Sequence, residues 1–102
     1  MGRGYAAKVD ANQGEIVAAL RRAGASVTPT HAAGEGFPDL AGGFRGETFL
    51  IEVKDGAKPP SARKLTPDQE KWHATWRGQK AVASTVAEAL AVIGIELRGE
   101  IS

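Results

Sequence analysis

The segment ETFLIEVK, residues 47–54, most limits what this chain can become. It is the most apolar run in the sequence and has the β-prone composition of a core strand, yet it ends on Glu52 and Lys54. Glu52 sits where an apolar residue would cost less to bury. Just upstream, PDLAG reads as a partner strand joined to it across GFRG, with Phe49 and Ile51 on one face and Leu50 and Glu52 on the other. Glu52 and Lys54 are two residues apart and so project to the same side. Asp39, near the start of the first strand, then comes close to the end of the second. Two readings stay open on these residue types alone. One is a structural ion pair at a strand end, Glu52 or Asp39 with Lys54; the other is a catalytic site.

The rest of the chain supplies a frame for that hairpin. DANQGEIVAALRRAG predicts a helix with Ile16, Val17, Leu20 and Ala23 on one face, Asn12 and Glu15 as a capping box and Gly24 as its stop. ASVTPT is a short strand weakened by Pro29, and HAAGEG is a loop. After Lys54, DGAKPPSARKL is a turn-rich loop. Thr66 and Pro67 open a second helix that runs to about Trp76 and stops at Gly78. AVAST is a last strand, Thr85 and Glu88 cap a C-terminal helix through VAEALAVIG, and ELRGEIS is a loose tail or short strand. The order is helix, three strands, helix, strand, helix: one α/β domain, residues 10–102, with a small mixed sheet, preceded by an arm at residues 1–9.

Composition narrows the chemistry. The 102 residues suffice for one compact domain. The absence of cysteine excludes disulfides, thiolate nucleophiles and cysteine-ligated zinc. No run approaches the roughly 20 apolar residues of a membrane span, and MGRGYAAKVD lacks a signal-peptide core, so a cytoplasmic protein with no membrane partner is expected. The net charge of +1 is uninformative, but its distribution is not. An acidic centre holding Glu35, Asp39, Glu47 and Glu52 is followed by a basic segment holding Lys54, Lys58, Arg63, Lys64, Lys71, Arg77 and Lys80. A mixed solvated surface is the commoner cause of blocks this small; a metal site beside a phosphate-binding surface is the other reading.

Asp39 and Glu52, with the Val53 carbonyl between Glu52 and Lys54, would make a hard, oxygen-only site suited to Mg²⁺ or Mn²⁺. Such an ion activates water and neutralises phosphodiester charge, and a cation in the position of Lys54 stabilises the transition state.

With those residues in view, GFPDL…FLIEVK resembles the PD-(D/E)XK nuclease signature, and the chain over residues 10–93 is similar to the small stand-alone VRR-NUC members of that superfamily, found in phages and prophages and related to Holliday-junction resolvases. The resemblance extends to NQGEIVAALRRAG, KPPSARKLTPDQEKW and AVAST. It implies a restriction-endonuclease-like αβββαβ core and Mg²⁺- or Mn²⁺-dependent hydrolysis of DNA phosphodiesters. Asp39, Glu52 and the Val53 carbonyl would be metal ligands, with Lys54 the catalytic lysine. Glu15 matches the first-helix acid that completes many such sites, but its capping box explains it equally well. Gln69 matches a glutamine on the helix after the catalytic strand; a capping box with Thr66 is its alternative, and both roles together are expected only if its side chain turns away from its own helix end.

Lys58, Ser61, Arg63 and Lys64 lie just beyond the lysine, where they would grip DNA phosphates without reading sequence; an ordinary solvated loop is the other reading. Trp72 and Trp76, one turn apart, are expected in the core or a dimer interface rather than stacked on bases. His73 is expected to be an ordinary surface residue, and His31 is not required by any spacing. The expected protein is a structure-selective endonuclease of branched, flap or junction DNA, working as a homodimer. A non-catalytic nucleic-acid-binding module on the same fold is the alternative, and an interaction protein whose basic loop meets an acidic partner is a third reading.

Overall fold

A computed structural model of the chain describes residues 9–96. The elements are α1 (Gln13–Arg22), β1 (Ser26–Pro29), a 3₁₀ turn (His31–Ala33), β2 (Leu40–Phe44), β3 (Glu47–Val53), a second 3₁₀ turn (Pro60–Ala62), α2 (Pro67–Thr75), β4 (Ala81–Ala83) and α3 (Val86–Val92). The strands lie in the order β1-β2-β3-β4. β1–β2 and β2–β3 pair antiparallel, and β3–β4 pair parallel across the α2 connection. This is a mixed α/β arrangement in the element order expected. Most of the N-terminal arm and all but Glu96 of the C-terminal tail lie outside the described residues.

The period-two pattern of β3 divides the molecule. Phe49, Ile51 and Val53 join Ile16, Val17 and Leu20 of α1, Val27, Leu40, Ala83, and Ala89 and Leu90 of α3 in one buried cluster. α1 packs on β1 and α3, and α3 packs on β4, so both helices cover the same side. Each fully buried Ile, Leu or Val in that cluster contributes about 1.5–3 kcal/mol. Leu50 and Glu52 turn away from it, and both are still buried. α2 buries none of its residues and contributes almost nothing to the main core.

Three local expectations are corrected. The connection between β2 and β3 is shorter than GFRG. Gly43 and Phe44 belong to β2, Phe44 pairs with Glu47, and the turn is Arg45-Gly46 alone. Both turn residues have positive φ, 51° and 83°, the two-residue geometry that matches strand twist. The Arg45 guanidinium lies 5.0 Å from the Phe44 ring centre, and this cation–π contact offsets part of the strain of a non-glycine residue there. At the start of α1, Asn12 makes no capping hydrogen bond; its amide is used elsewhere, as described below. Trp72 and Trp76 lie outside the main core, on the α2 side of the sheet, and Trp76 remains 39% exposed.

Register in the hairpin is locked by one close approach. Gly42 pairs with Phe49, whose ring lies over it so tightly that a Cβ at Gly42 would overlap the ring and the Ser26 carbonyl oxygen. Gly42→Ala is therefore expected to destabilise the chain by about 1–3 kcal/mol, read as a lower urea midpoint. An unchanged midpoint would show that the β1–β2–β3 packing is looser than described.

Candidate functional site

Continuing the β2–β3 register by one pair beyond Leu40–Ile51 sets Asp39 opposite Glu52. Two carboxylates facing each other across a ladder are unfavourable unless a proton or cation intervenes, so their placement needs fixing from outside. Pro38 is fully buried. Thr30 holds the Pro38–Asp39 backbone from the β1 side: its N–H donates to the Asp39 carbonyl oxygen (2.7 Å) and its hydroxyl to that of Pro38 (2.8 Å). From the β3 side, the Val53 N–H donates to Asp39 Oδ2 at 2.8 Å. The Asp39 carboxylate is thus aimed at the end of β3.

Glu52 is 1% exposed. Its Oε2 accepts from Gln69 Nε2 at 2.8 Å and lies 3.9 Å from Lys54 Nζ. Its Oε1 is buried with no donor. Burial pushes the Glu52 carboxyl up to about 9 from its ordinary 4.5, helped by a proton-sharing contact with the Asp39 carboxyl and by its charge; Lys54 acts in the opposite direction, and Asp10 adds a smaller upward push. The expected approach of Glu52 and Lys54 does exist, at 3.9 Å, inside the same cluster as Asp39. The structural and catalytic readings of these residues are therefore not exclusive.

Gln69 resolves its two readings by satisfying both. Its Oε1 accepts from the Thr66 N–H at 2.9 Å and from Lys54 Nζ at 2.8 Å, while its backbone N–H donates to Thr66 Oγ1 at 3.2 Å. The capping box is complete, and the side chain does not turn away from the helix end, contrary to expectation. An amide oxygen has two lone pairs, so one can cap and the other can hold the ammonium. Two donors converge on Oε1 and a carboxylate on Nε2, which fixes the orientation of the amide.

These groups line a cavity of about 400 Å³ with Asp10, His31, Gly34, Gly36, Phe37, Thr66 and Asp68. Gly36 has φ +80°, and a Cβ there would collide with the Asp68 carbonyl, so the first turn of α2 can sit against the 34–37 loop only with glycine at this position. His31 presents a buried Nδ1 with no partner. His73 is half-buried; burial holds its imidazole below the ordinary 6.5, with the Lys80 and Lys54 ammonium groups adding to the effect.

The structure brings Asp39, Glu52, Lys54 and Gln69 together. Val53 is buried, with its N–H on Asp39. Glu15 is exposed on α1 and does not line the cavity; Asp10, in the turn before α1, does. Lys58, Ser61 and Lys64 are exposed on the loop that leaves Lys54 and returns at Thr66, and Arg63 is half-buried within it. Thr30 and Asn12 were not singled out as site residues in the sequence. Asn12 Nδ2 donates to the Lys54 carbonyl oxygen (3.0 Å) and to that of Ser84 (2.9 Å), tying the start of α1 to the ends of β3 and β4. Its signal in the sequence, an Asx residue before a helix, is the same as that of an ordinary cap.

Among the described residues no three His, Cys, Asp or Glu side chains gather as a metal-binding group. The oxygen set is the Asp39–Glu52 pair. A paired, buried carboxylate with one orphan oxygen fits a hard divalent cation, and Mg²⁺ commonly takes only one or two protein carboxylates, completing its shell with water and phosphate. No protein-family model, curated protein or solved structure matches the chain.

The raised pKa of Glu52 has a definite sign. Between 4.5 and about 9 the folded chain holds a proton that the unfolded chain releases, so stability from this group is lost as pH rises through that window. Above neutrality His73 is uncharged in both states. The urea midpoint of the metal-free protein is thus expected to fall from pH 7 towards pH 9, and Glu52→Gln should flatten the slope. A midpoint that rises over this interval would contradict a protonated Glu52 beside Asp39, Lys54 and Asp10.

Proposed function

We propose that this chain is a metal-dependent phosphodiester hydrolase acting on DNA, as its resemblance to the PD-(D/E)XK nucleases implies. The observation that carries the reading is the Asp39–Glu52 pair. Two carboxylates are held opposite each other by backbone hydrogen bonds, one has a buried, unpartnered oxygen, and a lysine cation stands beside them. A purely structural ion pair would not need the second carboxylate, and burying Glu52 without a cation costs stability above pH 5 or so.

Asp39 and Glu52 would hold Mg²⁺ or Mn²⁺, with the Val53 carbonyl as a further hard ligand. When bound, the ion makes water a better nucleophile at neutral pH and offsets charge on a phosphoryl oxygen. Lys54 is 12% exposed at its side chain and is held by Gln69 Oε1 at one of its three hydrogens, leaving donors for a phosphate oxygen or the attacking water. Gln69 keeps Lys54 and Glu52 apart: its oxygen takes the ammonium and its nitrogen takes the carboxylate, so the two charges meet only at 3.9 Å. Lys58, Ser61, Arg63 and Lys64 would contact phosphates along the strand. Selection by DNA structure, in a homodimer that presents two sites, is what the same resemblance implies.

Purified protein should cleave flap, nicked or junction DNA only with Mg²⁺ or Mn²⁺ and stop on chelation. Asp39→Asn, Glu52→Gln and Lys54→Met should each lower the rate by at least about a hundredfold while keeping the circular dichroism spectrum. Undiminished cleavage by the Glu52 variant would refute the site. Metal-independent DNA binding by the unaltered chain without turnover on any of these substrates would identify a non-catalytic binding module.

A further inference from the structure

The catalytic reading leaves unused the aromatic surface between the C-terminal half of α2 and the β2–β3 hairpin. Trp72 and Trp76 are stacked, with centroids 4.7 Å apart and planes at 19°. Phe37 stands edge-on to both, at 5.4 and 6.2 Å. One face of the Trp76 indole is thus occupied by Trp72, and the residue is still 39% exposed. Trp76 and Phe37 form one wall of a groove of about 650 Å³ whose other wall is the β2–β3 hairpin, through Gly46, Thr48 and Leu50. Phe37 also lines the cavity that holds Asp39, Glu52 and Lys54, so the groove and the site share a side chain.

The charge beside Trp76 favours an anionic chain passing the mouth of the groove. Lys80 Nζ donates to the Trp76 carbonyl oxygen at 3.4 Å, and Arg77, the next residue after Trp76, is exposed; Lys71 lines a separate hollow with Glu35 and Asp68. The only ion pair among the described residues is Lys54–Glu52, so neither Lys80 nor Arg77 is paired within the described part of the chain. Glu47 is the one acid lining the groove. Aromatic faces flanked by free cations are the combination that binds single-stranded nucleic acid: the rings stack on bases of any identity and the cations follow the backbone. A second copy of this chain would bring the same uncompensated cations to the same place.

We propose that the groove bounded by Trp76 and Phe37 receives an unpaired nucleobase next to the phosphate in the catalytic cavity, and that this contact selects DNA with unpaired or splayed bases over continuous duplex. The inference rests on the nuclease reading for its orientation, but not for its test. A base paired within a duplex has both faces covered by its neighbours and cannot offer one to Trp76. A base at a flap, gap or junction can.

The test uses the full chain in EDTA, so that no cleavage is read. The probes are a fluorescein-labelled oligothymidylate and the same strand annealed as a blunt duplex. The oligothymidylate should bind saturably and quench the emission of the two tryptophans, which are the chain's only ones. Trp76→Ala should weaken that binding by about ten- to a hundredfold, the worth of one base–aromatic stack, while leaving blunt-duplex affinity and the circular dichroism spectrum unchanged. Trp76→Phe should restore most of the loss. Equal weakening for both probes would overturn the proposal, as would unaltered oligothymidylate binding by Trp76→Ala. A Trp76→Ala variant that converts a dimer to a monomer in sedimentation, yet binds oligothymidylate normally, would assign the groove to a second copy of the chain. An inactive protein that passes the binding test would overturn the nuclease reading alone, and an active one that fails it would overturn the groove alone.

Discussion

The amide of Gln69 is the interaction on which the site depends. It completes the N-terminal cap of α2, holds the Lys54 ammonium and donates to the buried Glu52 carboxylate. Without it Glu52 Oε2 would lose its only hydrogen-bond donor among the described residues, and Lys54 and Glu52 would be free to move onto each other. It is also one of the few polar links between α2 and the sheet. A single side chain thus fixes a helix that has no buried face and sets the geometry of a charge cluster.

The alternation of one strand separates the core from the candidate site. One side of β3 closes the core against α1 and α3; the other carries Leu50, Glu52 and, just past the strand end, Lys54. The core therefore tolerates an expensive carboxylate on the far face because Ile51 and Val53, on either side of it in sequence, are fully buried. Asp39 is held by the same logic, through backbone groups of Thr30 and Val53 rather than by packing of its own side chain.

Much of this was legible in the sequence because it is written in short-range patterns. The helix starts at Thr66-Pro67 and Thr85, the stop at Gly24 and the alternation of β3 all follow from local chemistry, and the pairing of Asp39 with Glu52 follows from a hairpin. What could not be read depends on contacts between distant segments. Asn12 has the sequence appearance of a cap but spends its amide on two carbonyls far along the chain. Asp10 faces the cavity because the chain turns before α1, while Glu15, three residues inside the predicted capping box, points to solvent. Trp72 and Trp76 have the spacing of a core stripe, but the helix that bears them does not cover the core. Gln69 fills both expected roles without turning from its helix end, because its amide oxygen has two lone pairs.

The Asn12 clamp spans sequence separations of 42 and 72 residues, which has a consequence for the order of folding. The β2–β3 hairpin is local and inexpensive to close, but the parallel pairing of β3 with β4 must wait for the intervening loop and α2. Only after that pairing do the Lys54 and Ser84 carbonyls lie side by side for one amide to bridge them. The clamp therefore closes only after both strands are in place. A partly folded chain can hold the hairpin and still lack an ordered Lys54, so the candidate site is assembled only in molecules whose fold is complete.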